Sequence, residues 1–334
     1  MQLFLCAEPR SEISPGGHAA RAAGRDGPLP EKKQSRVRKL ALAGTRLARR
    51  AGEKMRISDF CANCLFDRQK ELTDNGEYLE KIKNILDNRD SQDTAPYISY
   101  CFNEEYKRFF GTQPSYGDVK KKYNDMMLGI EQTLREKIEA SDNPIALALA
   151  YARVGNYIDY AAMKEVDDEV LVSLFDDARL SDDDMFTLNS FMSQCKKADK
   201  FLLLADNSGE IVLDKLFLEQ LRKAFPYMQM AVMVRGSEIV NDVTTEDAYY
   251  SGIDRYGDIV SSGIGLAGTV YSLLSDEGRK AFDAADVILS KGQGNYESLC
   301  GNGHHVFYAF LCKCEVFTRR FGVSKLTGMF VEEV

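Results

Sequence analysis

The sequence predicts an α/β protein, a Rossmann-like and mostly parallel sheet with helices on both faces, preceded by an all-helical region. Three observations carry this reading. Residues 201–205 form an unbroken apolar run that stops at a polar turn, as a strand covered on both faces requires. From Lys200 onward, short apolar runs alternate with amphipathic stretches of helical length, the pattern of successive β–α units. Upstream, apolar residues recur every three or four positions and strand-like alternation is scarce.

The chain divides by composition into 1–54, 55–195 and 196–334. Residues 1–54 hold 12 Arg and Lys against 5 Asp and Glu, with four glycines between Pro15 and Pro28 and a basic run from Arg36 to Arg50. Such a leader buries too little apolar surface to offset its ordering entropy, so it is expected to be disordered or non-native, with Met55 as the natural start. In 55–195 helices are expected at 77–88, 116–141, 145–154, 170–175 and 186–195; Tyr123, Met126, Met127, Ile130, Leu134 and Ile138 stripe the longest. Asn143-Pro144 ends that helix and opens the next.

In 196–334 the first strand leads into a helix over 210–224, whose stripe is Ile211, Leu213, Leu216, Phe217 and Leu221. Strands are expected at 229–234, 258–261, 287–290, 306–311 and 328–331, and helices at 266–274, 277–284 and 313–320.

Charge narrows the function. The 280 residues after the leader carry 31 basic and 46 acidic groups, which disfavours nucleic acid, whose binding rests on cations displacing counterions from phosphates. No apolar run approaches the roughly 18 residues of a membrane helix. Eight cysteines are scattered through a chain without a secretory signal, so reduced thiols and a cytoplasmic setting are expected.

Asp206-Asn207-Ser208-Gly209 lies between a strand and a helix, at the strand end where open α/β sheets bind ligands. Asn241-Asp242 repeats the amide–carboxylate pair after the second strand. If the two strands are neighbours, Asp206, Asn207 and Asp242 converge and offer hard oxygen donors to a divalent ion. Each Asx residue taken singly is equally at home as a turn residue or helix cap.

Ser261 to Thr269 holds Gly263, Gly265 and Gly268 at the spacing of a dinucleotide fingerprint, but the acidic residue expected after the next strand is replaced by Lys291. The more general reading is an anion-binding turn at Ser262 and Gly263. Lys291, followed by Gly292 and Gly294, is either a point charge for a ligand or an exposed lysine before an ordinary turn. Cys61-x-x-Cys64 is half of a zinc pattern without a second half, and partly buried thiols are the simpler reading. His304 and His305 flank a strand and are expected to be structural, which leaves hydrolase dyads without support.

Together these segments resemble the damage-control phosphatases, the metal-dependent family first catalogued as domain of unknown function eighty-nine, in its prokaryotic branch with an N-terminal cysteine pair. The matching residues are Cys61-x-x-Cys64, Gly155-Asn-Tyr-Ile-Asp159, Asp206-Asn-Ser-Gly-Glu210, Val234-Arg-Gly236 with Asn241-Asp-Val-Thr244, and Lys291-Gly-Gln-Gly-Asn-Tyr-Glu297. The resemblance implies hydrolysis of phosphate monoesters of small metabolites, with Mn²⁺, Co²⁺, Ni²⁺ or Mg²⁺ held by Asp206, Asn207 and Asp242. It implies a phosphate contact for Lys291, and Glu297 departs from branches with a basic residue there. In this reading Asp206 acts at phosphorus or orients the attacking water, Glu210 supports it, and Arg235, Ser262, Gly263, Lys291 and Asn295 serve the phosphoryl group. Asn156 and Asp159 reach toward the rest of the substrate. The alternatives are a non-catalytic nucleotide- or metabolite-binding module and an S-adenosylmethionine-dependent carboxyl methyltransferase.

Overall fold

Six strands in the order β3-β2-β1-β4-β5-β6 form the sheet of this protein, seen here in a computed structural model that describes residues 53–112, 115–159 and 167–334. The strands are β1 (Lys200–Leu204), β2 (Gln229–Val234), β3 (Asp258–Ser261), β4 (Val287–Lys291), β5 (Val306–Leu311) and β6 (Gly328–Glu333). The first five run parallel and β6 returns antiparallel to β5. β1 is central, with Phe201 registered between Met230 of β2 and Val287 of β4. All of the leader 1–54 except Glu53 and Lys54 lies outside the described residues.

The helices before the sheet are α1 (Asp59–Leu72), α2 (Gly76–Asp87), α3 (Ala95–Phe110), α4 (Gly117–Glu139), α5 (Pro144–Gly155), α6 (Asp168–Asp176) and α7 (Asp182–Cys195). Within and after it come α8 (Glu210–Ala224), α9 (Thr245–Ser251), α10 (Asp276–Ala284), α11 (Gln293–Leu299) and α12 (Glu315–Phe321). Polar side chains start several of them: Ser58, Asn75, Asn143, Asp167 and Ser275 each accept from a first-turn amide, and Ser181 with Asp184 closes a capping box.

The pleat of β1 sorts its side chains to two cores. Phe201 and Leu203 join one cluster with α4, α5, α7 and α8, while Leu202 and Leu204 join another with α10, α11 and α12. The first cluster runs from Tyr123 in α4 to Phe330 in β6, so the segments 55–195 and 196–334 share a core. The physical reason is α5, apolar around most of its circumference, which must be buried on several sides and lies across α8. A Cβ on Gly155 would sit 2.7 Å from Leu213 Cδ1 and 3.0 Å from Glu210 Cα, so the two helices meet at a glycine. A third, smaller cluster joins α1, α2 and α3 around Tyr78, Ile82 and Phe102.

Several elements depart from the sequence expectation, among them α1 and α3, which add helices to a region read as helical throughout. The helix expected at 266–274 is only a short 3₁₀ turn, Tyr271–Leu273, because the glycines before it give up too much backbone entropy in a helix and Gly263 takes φ +91°. Conversely, α11 forms where an ordinary turn was one reading, and α9 follows the helix-cap reading of the Asx loop, through a capping box between Thr244 and Asp247. Among the described residues no helix is long and apolar enough to cross a membrane.

Chain connections leave β1 toward β2 and β3 on one side, and β4 leads to β5 and β6 on the other. The boundary between β1 and β4 is therefore the switch point at which a crevice opens beyond the carboxyl ends of the strands.

Candidate metal and phosphate site

The loop after β1 and the loop after β2 run together. Ser208 N donates to Asn241 O at 2.9 Å, Val243 N to Asp206 O at 2.8 Å, and Arg235 N to Val243 O at 2.8 Å. Asn207 and Asp242 are paired as an isolated antiparallel bridge, which sets the two Asx pairs side by side. Gly209 then opens α8 at φ +81°; a Cβ there would lie 2.9 Å from Tyr123 Cβ, so the turn needs glycine twice over.

Two amides hold the acidic groups in place. Asn156, from the end of α5, donates to Asp206 Oδ2 at 2.9 Å and to Glu210 Oε2 at 3.1 Å. Asn207 donates to the same two oxygens at 2.8 and 2.9 Å. Asp206 Oδ1 is thereby left as the carboxylate oxygen that no amide holds. Arg235 lies between the acids, with Nε 2.7 Å from Asp242 Oδ2 and Nη2 3.4 Å from Asp206 Oδ1. Lys313, two residues past β5, donates from Nζ to Asp159 Oδ2 at 2.5 Å.

Electrostatically the site is short of positive charge. Burial, followed by Asp242, Glu210 and Asp159, pushes the Asp206 carboxyl well above its ordinary range, with Lys313 pulling the other way. Burial likewise raises Asp242 to about 6 against the pull of Arg235, and Asp214 to about 7 against that of Lys291. Asp159, Asp206, Glu210, Asp214 and Asp242 are all buried, as are Arg235, Lys291 and Lys313. Burial and mutual repulsion favour the proton-bearing forms of Asp206 and Asp242 until a cation takes the proton's place. The carbonyl oxygen of Asn207 accepts no hydrogen bond among the described residues, and the Arg235 guanidinium stands where a cation is wanted. Two carboxylates and an amide oxygen in that setting fit a hard divalent ion. Among the described residues no group of three His, Cys, Asp or Glu side chains is arranged for a metal, so the amide is part of the candidate set.

Several expected substrate contacts are placed elsewhere. Lys291 Nζ spends its three donors on Ala152 O, Glu210 Oε1 and Asp214 Oδ1 at 2.9, 2.7 and 2.5 Å, which leaves none for a phosphate. Burial disfavours its charge, yet Asp214 and Glu210 more than offset this and raise its pKa. Asn295 is also committed, donating to Ala205 O and Lys291 O and accepting from Arg235 Nη1 and Thr269 Oγ1. The Asn156 carbonyl accepts from Leu311 N, so this residue braces the acids instead of reaching for the substrate. Ser262 Oγ and Gly263 belong to a turn packed on Gly236 and Ser275, with no helix following it to form an anion site. Asp159 faces Lys313.

Lys313, two residues past β5, escaped the sequence reading, which took it as the first residue of a helix over 313–320. Asp214 and Asn124 were hidden within helical stripes. Cys61 and Cys64 are free thiols, Cys61 accepting from Ser58 Oγ at 3.2 Å. His304 packs against Tyr271 and Phe282, and His305 pairs with Glu332. A cavity of about 520 Å³ flanks the Asp242 loop, lined in part by Lys120, Asn124, Thr244, Asp247 and Tyr250.

Comparison with known proteins finds a family and a likeness of fold. The family described as Damage-control phosphatase ARMT1-like domain matches residues 53–327. A damage-control phosphatase of Archaeoglobus fulgidus is 28% identical over 283 residues, covering 81% of this chain and 96% of its own. A damage-control phosphatase of Pyrococcus horikoshii is 27% identical over 287 residues, with coverage of 81% and 96%. The crystal structure of a DUF89 family protein from Pyrococcus horikoshii has a TM-score of 0.69 at 22% identity, covering 84% of this chain and all of that one, a likeness of fold.

Proposed function

Because the chain belongs to the damage-control phosphatase ARMT1-like domain family, we propose that it hydrolyses phosphate monoesters of small metabolites with the help of a divalent ion. The observation that supports this reading is the convergence of Asp206, Asn207 and Asp242, with Lys313 nearby, in a buried cluster of mutually repelling carboxyls. Mn²⁺, Co²⁺, Ni²⁺ or Mg²⁺ held by those three residues would supply Lewis-acid polarisation of the phosphoryl oxygens.

The protein's own groups take the remaining roles. Asn156 and Asn207 fix Asp206 through Oδ2, so Oδ1 orients the attacking water and takes its proton. Lys313 has donors beyond the one spent on Asp159 and neutralises charge on the phosphoryl group. Lys291 holds Glu210, and through it the two amides, in register.

The test is hydrolysis of p-nitrophenyl phosphate by metal-stripped protein with each of the four ions restored separately. Activity that returns with metal in the wild type and is absent from Asp206→Ala supports the proposal. Folded protein that is inactive with every ion, or Asp206→Ala with full activity, refutes it.

A further inference from the structure

Arg235 is 2% exposed, and its two edges are treated differently. Nη1 is pinned on the protein frame, 2.7 Å from Gly268 O and 3.1 Å from Asn295 Oδ1. The opposite edge, Nε with Nη2, spans the acidic gap, tight on Asp242 at 2.7 Å and loose on Asp206 at 3.4 Å. That gap is the one a divalent ion would enter, so ion and guanidinium want the same carboxylate oxygens.

We propose that Arg235 is a resident counter-cation that a divalent ion displaces from Asp206 and Asp242, and that its freed Nε–Nη2 edge then binds the phosphoryl group. The inference rests on the reading of Asp206, Asn207 and Asp242 as metal ligands. A divalent ion carries twice the charge of the guanidinium, so it is the stronger partner for the two carboxylates. Once they are taken, two cations repel across a few ångströms unless an anion lies between them. The side edge of a guanidinium matches two phosphoryl oxygens, with donors in a fixed plane. The move needs no backbone shift: Arg235 N stays on Val243 O at 2.8 Å, and Nη1 keeps its two acceptors as a pivot. Metal and phosphate then bind cooperatively, each raising the affinity for the other by the same factor.

The test uses calorimetry on the full chain. Mn²⁺ is titrated into metal-stripped wild type, Arg235→Gln and Arg235→Lys, and inorganic phosphate into each protein with and without Mn²⁺. Arg235→Gln, lacking the resident cation, should bind Mn²⁺ about tenfold more tightly than wild type. The factor by which Mn²⁺ raises phosphate affinity should fall about tenfold in the same variant. Arg235→Lys keeps a charge but loses the two-donor edge; it should bind Mn²⁺ as wild type does and lose most of the phosphate coupling, which covers the case in which the glutamine variant does not fold. Equal or weaker Mn²⁺ binding by a folded Arg235→Gln overturns the inference, as does undiminished coupling in either variant. Wild type that binds no divalent ion at all overturns the metal reading itself, a result distinct from either.

Discussion

The carboxamide oxygen of Asn124 accepts a hydrogen bond from the Gly209 amide at 2.6 Å, joining the long helix α4 to the loop that carries Asp206 and Asn207. The same carboxamide donates to Asp247 Oδ1 at 3.3 Å, and Lys120, one turn earlier, pairs with Asp247 Oδ2 at 2.5 Å. Asp247 caps α9 through Thr244, two residues from Asp242. One helix face thus braces both loops of the candidate site.

Asn124→Ala should therefore loosen both loops. It leaves the buried Gly209 amide without a partner, a cost of about 1–3 kcal/mol in urea unfolding, and Mn²⁺ binding should weaken with it. Unchanged stability and unchanged metal affinity would show that the brace is idle.

The two lysines should separate by assay. Lys291→Met leaves Glu210 and Asp214 buried without their counter-ion and should cost about 3–5 kcal/mol of stability. Lys313→Gln should lower kcat/KM for p-nitrophenyl phosphate by about 10²–10³ in protein that remains folded, beyond the stability lost with its buried ion pair to Asp159. The reverse pattern would assign phosphate contact to Lys291.

Removing metal should destabilise the native protein. An ion at about 100 times its Kd adds about 2.7 kcal/mol, which a chelator would abolish. Asp242→Ala should gain no such stabilisation from Mn²⁺ in a thermal melt; if it gains as much as wild type, Asp242 is not a ligand.

The pH dependence has a definite sign. Asp242 and Asp214, raised to about 6 and about 7, hold their protons more tightly folded than unfolded. Their protonation contributes stability that is fully present below the ordinary carboxylate pKa and lost as pH rises through 6 and 7. Metal-free protein should thus be less stable at pH 8 than at pH 5, by urea unfolding. Mn²⁺ favours the ionised forms and should flatten or invert the trend. A metal-free midpoint that climbs from pH 5 to pH 8 would contradict this.

Much of the frame was legible in residue order. The run Phe201–Leu204, the Asx turn after it and the stripe of α8 identify a buried strand, a ligand-binding turn and a helix, because burial on both faces demands unbroken apolarity. Asn241-Asp242 after β2 pointed to a partner for Asp206-Asn207, provided that β1 and β2 were neighbours, and they are. The roles of the two lysines were not legible. Lys291 still belongs to the ladder, opposite Ala309, so the pleat sends it to the face of Leu289, where α8 presents Glu210 and Asp214. Lys313 lies beyond the end of β5 and is free of that constraint.

Local order alone thus determined which residues stand at the strand ends, since strand period, turn chemistry and helix stripe are properties of neighbours in sequence. Tertiary structure decided which charge meets which. Asn156 arrives at Asp206 from α5, 50 positions away, and Arg235 reaches Asn295 across 60. Those partnerships come from one apolar helix lying across α8 and from the order of parallel strands, and buried charges take whatever partners that packing brings within reach.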